Sequence, residues 1–574
     1  MIRLTPGERL HLARLALART RRRALSRAMR MRALRWLAGS AIADELLIVP
    51  PDLRTPDPSL FEELAAGQLG LGGAIVDLNG HSPFALLPPS AAWARELNGF
   101  GWLRDLRAAN SDAAYAMARR LVAEWLQRNA LTFPRTDSHG VIARRIISWI
   151  SHASLILEGV SPRVYEATTD CLGQQIQFLA TSWRDAAAGY ERLLTLTALV
   201  LADLCIAGHD RQLRRMQRLF SDELNRQVLR DGGHISRNPA TPVEILLDLM
   251  PLRQCYVARG RAAPRALVDA IDRMIAFLKA MRLGDGTLAR FNGMGRTEAD
   301  ALATVIAYDA APDAPPPTMT QSRYVRLEHE GTILIMDVGA PPPLELAGHA
   351  HAGCLAFELS VGTSPLFVNC GAPGQAHETM RAASRATASH NTLCLADRSS
   401  SRLVRARLLE KWAGAPPIRQ RGDVHFAVHS SAGGSAVRAS HDGYVKDFGP
   451  RHTRRIRLSG DGARIEGEDR LGAPSGTLRL GRDLPFAIHF HLHPDTLCRL
   501  GETAGTALIE TLDGGHWLFS AEGAALVLEQ SFDYAHHSGP RLSQQIVLRG
   551  ATPGESVVRW QLARAPSHGD TPNE

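Results

Sequence analysis

His349, His351 and His390 are the residues of this sequence best suited to move a proton or to bind a metal. His349 and His351 are two positions apart, so both imidazoles project from one face of an extended segment. His390 follows at the start of a later apolar run. Three converging imidazoles would form a transition-metal site or a proton-transfer site, although H-x-H spacing alone also occurs among unrelated surface histidines.

A second histidine row follows further along the chain. His489, His491 and His493 alternate with the apolar residues Ile488, Phe490 and Leu492. This alternation predicts a half-buried strand with a polar face. Cleft lining or metal binding is the alternative for the same three side chains.

The elements that must position these histidines divide the chain into two halves. From about residue 90 to 310, apolar residues recur at three- and four-residue spacings, which predicts helices joined by short loops as antiparallel neighbours. The predicted helices cover 91–108, 111–129, 140–158, 163–184, 188–207, 211–228, 242–259, 264–282 and 297–308.

Strand-like patterns dominate after residue 322, and many short strands separated by Gly, Asp and Pro predict an antiparallel sandwich. The predicted strands are 332–337, 355–361, 366–369, 392–395, 425–429, 456–458, 463–466, 486–493, 516–520, 525–528 and 544–548. The predicted domains are a basic N-terminal helix with a lead-in segment (1–90), a helical domain (91–310), a Pro-rich linker (311–322) and the sandwich (323–565).

Composition narrows the classes of partner. The 574 residues exceed what one hydrophobic core usually serves, and the net charge of +8 favours anionic partners. Residues 1–35 contain eleven Arg and one acid, which predicts a basic amphipathic helix. That helix either packs on the helical domain as a solvated element or contacts a membrane surface or another polyanion.

Several classes are disfavoured by what the sequence lacks. The seven Cys are odd in number and form no CxxC pair, so neither a disulfide framework nor a zinc finger is predicted. We find no secretory signal pattern and no apolar stretch of membrane-spanning length, which predicts a soluble, cytoplasmic protein. Because no nucleic-acid-binding motif appears either, nucleic acid is not a predicted partner.

The window 348–393 resembles the C-terminal domain of the heparinase II/III family. It contains Gly-His-Ala-His-Ala-Gly (348–353) and Ser-His-Asn-Thr (389–392), where the family shows H-x-H-x-D and S-x-x-H-N-T. Asp-Gly-Gly-His-Ile-Ser-Arg-Asn-Pro (231–239) and Arg-Phe-Asn-Gly-Met-Gly (290–295) are similar to the helical half of a bacterial branch. The resemblance spans roughly residues 45–550. It implies an α+β multidomain chain, with an N-terminal (α/α) incomplete toroid followed by a C-terminal antiparallel β-sandwich.

The resemblance also implies a polysaccharide lyase that cleaves an anionic, uronate-containing polysaccharide by β-elimination. Such a reaction needs a base for the C5 proton, an acid for the departing O4 and a group that stabilises the carboxylate, but no organic cofactor. The implied partner is an acidic polysaccharide, and the family also allows a periplasmic location. A glycoside hydrolase, which would need two carboxylates across a cleft, is a further alternative.

The same resemblance predicts one site residue, His349, and side-chain chemistry suggests the others. His349 matches the family's catalytic histidine and is predicted to act as base or acid, with Tyr190 as its partner. Arg237 and Asn238 are predicted to grip the substrate carboxylate. His234, Asn292 and Arg290 are predicted substrate-binding residues. The alternative for each residue other than His349 is a structural role as a core, capping or turn residue.

A structural zinc site is implied for some members of the family. His351 and His390 match two of its ligands, and Asn369 stands where the third ligand is an Asp. Neutral Asn binds zinc more weakly than a carboxylate, so the alternative is a metal-free, hydrogen-bonded histidine pair.

Two further departures concern catalysis. Tyr190-Glu191 stands where active members have Asn-His, and 238–241 lacks the tyrosine of their Ser-Pro-x-Tyr run. These departures support the alternative of a catalytically weakened homologue that binds polysaccharide in capsule or exopolysaccharide metabolism.

Overall fold

The computed structural model describes residues 45–129, 137–310, 318–404, 415–420, 422–473, 483–536, 538–552 and 556–565, together with Leu17, Thr20 and Glu410. The predicted basic helix within 1–35 and most of the predicted linker lie outside these residues. Among the described helices, none is long and apolar enough to cross a membrane.

The N-terminal half is an incomplete (α/α) toroid preceded by a small lead-in with one β-hairpin. Its α-helices are Leu60–Ala65, Ala91–Gly99, Leu103–Ala108, Asp112–Asn129, His139–Ser151, Ala153–Leu157, Pro162–Ser182, Tyr190–Cys205, Asp210–Gln227, Ala240–Ala258, Arg265–Ala280 and Ala299–Ile306. The hairpin pairs β1 (Gln68–Leu71) with β2 (Ala74–Asp77).

The helices form where the sequence offers a continuous apolar stripe. In Asp210–Gln227, the residues Leu213, Met216, Phe220 and Leu224 are buried at three- and four-residue spacings. The helix Tyr190–Cys205 is buried from residue 193 onward because it packs against three neighbouring helices of the toroid. Its N-terminus carries Tyr190, so this central helix fixes one of the predicted site residues.

Two predicted helices are broken in the structure. The predicted helix 91–108 divides at Phe100, whose φ of 60° is left-handed and ends Ala91–Gly99. The predicted helix 140–158 divides at His152, where the backbone leaves the helical region. Periodicity alone missed both breaks because the apolar spacing continues across them.

The C-terminal half is an antiparallel β-sandwich. Its strands are β3 (Tyr324–His329), β4 (Thr332–Asp337), β5 (Phe357–Val361), β6 (Ser364–Phe367), β7 (Leu393–Leu395), β8 (Ser401–Leu403), β9 (Ile418–Gln420), β10 (Val424–Ser431), β11 (Gly434–His441), β12 (Arg451–Ser459), β13 (Arg464–Gly472), β14 (Leu484–His491), β15 (Leu497–Leu500), β16 (Thr506–Glu510), β17 (His516–Glu522), β18 (Ala525–Asp533), β19 (Arg541–Thr552) and β20 (Ser556–Arg564). Two short helices, Arg381–Ser384 and Val445–Phe448, lie between strands.

Most of these strands join three sheets. The largest has eight strands in the order β10-β11-β12-β13-β20-β17-β16-β15, and two four-stranded sheets have the orders β18-β19-β14-β7 and β3-β4-β5-β6. Every predicted strand has a counterpart, but β3, β8, β9, β11, β15, β16 and β20 were not predicted. Strand β11 shows why: its buried face alternates Ser435, Val437, Ala439 and His441, so it lacks the row of large apolar residues that marks a strand.

The second histidine row lies inside the sandwich. Strand β14 lies between β7 and β19, and His489 and His491 are buried, with 8% and 4% of their surfaces exposed. His489 bonds to Gln545 and His491 to Ser531 and the Ala388 carbonyl. The prediction of a half-buried strand is wrong here, because other segments of the same chain cover both faces of β14.

Arg454 connects the sandwich core to the segment that carries His390. Its fully buried guanidinium forms an ion pair with Asp469 and donates to the carbonyls of Leu355 and Asn391. Because a buried guanidinium needs all its donors satisfied, these bonds hold the loops at both ends of the histidine window against the large sheet.

The junction between toroid and sandwich is formed largely by polar contacts. Asp231 of the toroid accepts hydrogen bonds from the backbone N–H groups of Gln321 and Ser322 at 2.8 and 2.7 Å. Arg237 donates to the carbonyls of Ser322 and Ala340, both at 2.9 Å. These contacts fix the start of the sandwich, and the loop after β4, against the helical half.

Candidate functional site

His349 lies on the sandwich side of the junction, where its side chain is exposed. Its Nδ1 is 3.1 Å from Nη1 of Arg381. A guanidinium can only donate, so Nδ1 accepts, and the neutral imidazole carries its hydrogen on Nε2. His349 therefore carries an N–H donor on Nε2.

The loop that carries His349 is held by a second arginine. Arg385 is buried and donates from Nε to the Ala350 carbonyl at 2.9 Å and from Nη2 to the Ala347 carbonyl at 3.1 Å. A third bond reaches the Pro416 carbonyl at 2.8 Å. Burial lowers the pKa of Arg385 to about 10, so the group stays charged at neutral pH.

The backbone of His349 lies against the toroid at Gly293. A Cβ on Gly293 would stand 2.5 Å from the His349 carbonyl oxygen and 3.4 Å from Nδ2 of Asn238. Gly293 also has a φ of +92°, which residues other than glycine rarely adopt. Only glycine at 293 lets the two halves approach closely enough to bring His349 and Asn238 together.

Asn238 has a capping role as well as a place beside His349. Its Oδ1 accepts from the backbone N–H of Ala240 at 2.9 Å, at the start of the helix Ala240–Ala258. Its Nδ2 faces Gly293. The predicted role in gripping substrate is not tested by this geometry, but the amide lies on the same part of the junction as His349.

Tyr190 belongs to a charged cluster on the toroid side. Its hydroxyl accepts from Nη2 of Arg144 at 2.8 Å and donates to Oδ2 of Asp248 at 3.0 Å. Asp248 also accepts from Arg54 at 2.9 Å and from Arg144 at 2.6 and 2.9 Å. Burial alone would raise the pKa of Asp248, but the two guanidiniums hold it below its ordinary value.

The same cluster determines the protonation of Tyr190. Burial and the negative charge of Asp248 raise the pKa of the Tyr190 phenol well above its ordinary value. The phenol therefore keeps its proton, which is directed at Asp248. Tyr190 is consequently a poor base in this arrangement.

His234 lies beneath Tyr190 rather than on the surface. It is 2% exposed, with Nε2 2.9 Å from Oε1 of Gln227 and Nδ1 2.7 Å from Oγ of Ser236. Gln227 in turn donates to the carbonyl of Gly189 at 2.9 Å, directly before Tyr190. His234 is therefore a buried residue that positions the start of the central helix, and its contact with substrate stays a prediction.

Acid sensitivity follows from the burial of His234. Burial lowers its pKa to about 3, whereas an unfolded histidine titrates near about 6.5. The unfolded chain therefore binds a proton that the folded chain does not, and this contribution destabilises the fold as the pH falls below about 6.5. We expect His234→Gln to make the fall of unfolding free energy with pH shallower, by up to about 1.4 kcal/mol per pH unit.

The measurement is the urea midpoint of the whole chain between about pH 6 and about pH 4. His425→Gln is the matched control, because His425 is exposed on β10. Comparing slopes rather than absolute stabilities removes the cost of the lost His234 bonds. Parallel slopes for wild type and His234→Gln would contradict the assignment.

Arg237 and Asn292 form a buried cluster that holds the junction. Arg237 donates to three carbonyls and forms an ion pair with Asp337, and Nδ2 of Asn292 donates to Asp337 and Tyr324 at 3.1 and 2.9 Å. Both residues are buried. Their donors bind partners within the protein, so this geometry adds no support for contact with substrate, which stays a prediction for both residues.

Arg290 and Asn369 are also committed to structural contacts. Arg290 forms an ion pair with Asp533 at 2.9 Å, which links the toroid to β18. Asn369 accepts from the backbone N–H of Asn391 at 3.0 Å and donates to the Arg290 carbonyl at 3.4 Å. Arg290 therefore joins the two domains, and its contact with substrate stays a prediction.

His351 and His390 do form the predicted pair. Nδ1 of His351 lies 3.1 Å from Nε2 of His390, whose Nδ1 donates to the Ala386 carbonyl at 2.7 Å. Gly353 stands where the family has Asp, and a Cβ there would lie 2.7 Å from the His390 ring. The ring thus occupies the space that the acidic side chain would need.

This pair does not fit a zinc site with three protein ligands. Both polar atoms of the Asn369 amide are committed elsewhere, as described above. Within the described part of the chain, no three His, Cys, Asp or Glu side chains are grouped so that they could hold a metal. The zinc prediction stays untested, and the chemistry below does not use a metal.

Sequence reasoning missed the arginines and the acid that surround the predicted residues. Arg381 and Arg385 lie within or beside the quoted window, where their proximity to the histidine motif was the available signal. The run Pro50-Pro51-Asp52-Leu53-Arg54 is similar to the bacterial branch and was the signal for Arg54. Arg144 and Asp248 gave none, because they are 104 positions apart and meet only in the folded toroid.

A helical toroid joined to an antiparallel sandwich is also the fold of two solved structures. Heparinase III matches with a TM-score of 0.68 and 12% identity, over 96% of this chain and 90% of that one. A mutant of the heparan sulfate lyase HepC from Pedobacter heparinus matches with a TM-score of 0.63 and 15% identity, over 96% and 89%. These likenesses establish the fold class.

Sequence comparison adds the family. The model for "Heparinase II/III-like, C-terminal" matches residues 311–561. FtsZ-localized protein C of Caulobacter vibrioides (strain NA1000 / CB15N) is 30% identical over 532 residues, which is 90% of both chains. The chain belongs to the heparinase II/III-like family, which confirms the resemblance and the predicted toroid and sandwich.

Proposed function

We propose that this chain binds an anionic, uronate-containing polysaccharide at the junction and cleaves it by β-elimination, with His349 as the proton donor to the leaving oxygen. The observation that carries the proposal is the exposed His349 beside Arg381. Arg381 supplies positive charge for a substrate carboxylate, and it leaves the N–H of His349 on Nε2. Asn238, next to the same loop, offers a neutral donor to the sugar.

The reaction balances with groups of the substrate and the chain. The C5–H bond breaks, its electron pair forms the C4=C5 double bond, and the C4–O4 bond breaks. The leaving O4 takes a proton from Nε2 of His349, which enters this step as the imidazolium once Arg381 has turned from Nδ1 to the substrate carboxylate, and which ends it as neutral imidazole. A base takes the C5 proton. Arg381 stabilises the charge that develops on the carboxylate.

Removal of the C5 proton is the step for which Tyr190 is poorly suited. Tyr190 could accept the C5 proton only after passing its own proton to Asp248, and the arginines around Asp248 oppose that transfer. This geometry favours a second candidate, a catalytically weakened homologue that binds the polysaccharide without rapid cleavage. The name of the Caulobacter relative supports a place of action with FtsZ for either candidate.

One assay tests the proposal and separates the candidates. The purified chain is incubated with alginate, heparan sulfate and bacterial exopolysaccharides, and each mixture is followed by ultraviolet absorbance and by retention of the protein on the immobilised polymer. We expect retention on a uronate polymer together with new absorbance from unsaturated uronate ends. Retention without absorbance would establish the weakened homologue, and the absence of both on every polymer would contradict both candidates.

A further inference from the structure

An open groove of about 530 Å³ crosses the outer face of the eight-stranded sheet. The inner face of the same sheet packs in the sandwich core, so this groove is separate from the histidine window. Charged side chains from four strands line it: Arg455, Arg457, Glu466, Glu468, Glu522 and Arg559. The backbone at Gly467 and Gly505 contributes to its surface without a side chain.

The strand register arranges these charges in rows across the sheet. Arg455 of β12 lies opposite Arg438 of β11 on one side and Glu468 of β13 on the other. Glu468 lies opposite Arg559 of β20, and Arg559 lies opposite Glu522 of β17. One end of the row is therefore basic and the other acidic.

The basic end lacks counter-charges within the described residues. Glu466 pairs with Arg457 at 3.5 Å, and Glu468 pairs with Arg559 at 3.3 Å. No ion pair joins a described carboxylate to Arg438 or Arg455, and both side chains are exposed. Like charges directly opposite on adjacent strands destabilise a sheet, so an anion between these two guanidiniums would relieve their repulsion.

The neighbouring row is neutral over most of its length. From Arg457 and Glu466 it continues through Gln561, Ser520 and Thr506. Amide and hydroxyl groups both donate and accept, and carboxylates accept from sugar hydroxyls. From β12 to β16 the row crosses four strand intervals, about 19 Å at about 4.8 Å each, which suits an extended chain rather than a single small molecule.

We propose that this groove is a second, non-catalytic binding site for a uronate-containing oligosaccharide. The sugar carboxylate lies between Arg455, which lines the groove, and Arg438, which lies opposite it on β11 beside the groove. The sugar hydroxyls meet the polar row. The carboxylates of Glu466, Glu468 and Glu522 disfavour a densely sulfated or phosphorylated polymer, because such a chain would bring anions against them. The inference shares with the proposed function only the class of ligand.

The test measures binding without cleavage. Alginate oligosaccharides are titrated into the full chain carrying His349→Ala, with and without Arg438→Ala and Arg455→Ala. We expect the arginine variants to weaken binding about tenfold, because two charge-assisted contacts are lost. Arg211→Ala with Arg215→Ala is the matched control, since it removes two exposed arginines from the outside of the toroid.

Further arms decide what the groove recognises. Arg455→Lys keeps the charge and is expected to retain most of the affinity, and a thermal melt of each variant verifies folding. Equal affinity with and without the groove arginines, or an equal loss in the toroid control, would overturn the inference. Groove-dependent binding of heparin or double-stranded DNA as tight as that of alginate would overturn the assignment to a uronate. Wild-type cleavage is assayed separately, so a failure of the lyase proposal leaves this result interpretable.

Discussion

Replacing His349 by alanine is expected to lower the rate of uronate cleavage by about 10²- to 10⁴-fold, the usual contribution of a positioned acid or base. The side chain is exposed, so its removal should change the unfolding midpoint little. The rate is measured as the initial increase in ultraviolet absorbance on the polymer that the wild type cleaves. His349→Gln should be equally slow, because its amide can hydrogen-bond but cannot deliver a proton.

The control for this prediction is His425→Ala, which removes an exposed histidine from β10. Its rate should equal that of the wild type. Arg381→Lys is expected to lie between the two, since lysine keeps the charge but not the geometry of the guanidinium. Undiminished cleavage by His349→Ala would show that the proton comes from elsewhere and would remove the central residue of the proposed mechanism.

Replacing Arg237 by alanine is expected to lower the free energy of unfolding by about 3–5 kcal/mol. The change leaves the buried carboxylate of Asp337 without its ion pair and the carbonyls of Ser322, Arg323 and Ala340 without their donor. An uncompensated buried charge is among the costliest defects a fold can carry. Urea unfolding of the whole chain, followed by circular dichroism, gives the measurement.

The matched control is Arg296→Ala, because Arg296 pairs with Glu298 on the surface, with about half of each side chain exposed. Such a pair contributes less than about 1 kcal/mol. A loss at Arg237 no larger than at Arg296 would show that the junction does not depend on this guanidinium. If cleavage fell while stability held, Arg237 would instead belong to the substrate site, as its sequence context suggested.

The sequence was informative where a local pattern decides the structure. Apolar periodicity located the toroid helices, and the histidine motifs brought His351 and His390 together correctly. Periodicity could not show the break at Phe100, because a single left-handed residue leaves the apolar spacing intact. Strands such as β11 were not predicted because polar and small residues, such as His441, Ser435 and Ala439, interrupt the apolar pattern of the buried face.

The site was harder to predict than the fold because residue type does not reveal which partner a polar group finds. Arg237 and Asn292 looked suitable for a ligand, yet both bind Asp337, which lies 100 positions after Arg237 and 45 after Asn292. Tyr190 had the right chemistry, but Asp248 and Arg144 determine its protonation. His349 was selected because it matches a family motif, and its catalytic role stays a prediction. Arg381, which donates to its ring, belongs to no such motif.

The polar contacts of Arg237 and Asp231 at the junction also affect how the proposed polysaccharide would reach His349. Spreading the two halves apart would expose the carboxylates of Asp231 and Asp337 and break their bonds to the opposite half at the same time. A hinge motion that opens the junction between toroid and sandwich therefore has a high free-energy cost. The proposed polysaccharide would therefore enter lengthwise along a junction that stays closed. This mode of entry would suit polymer ends and flexible segments more than cross-linked strands.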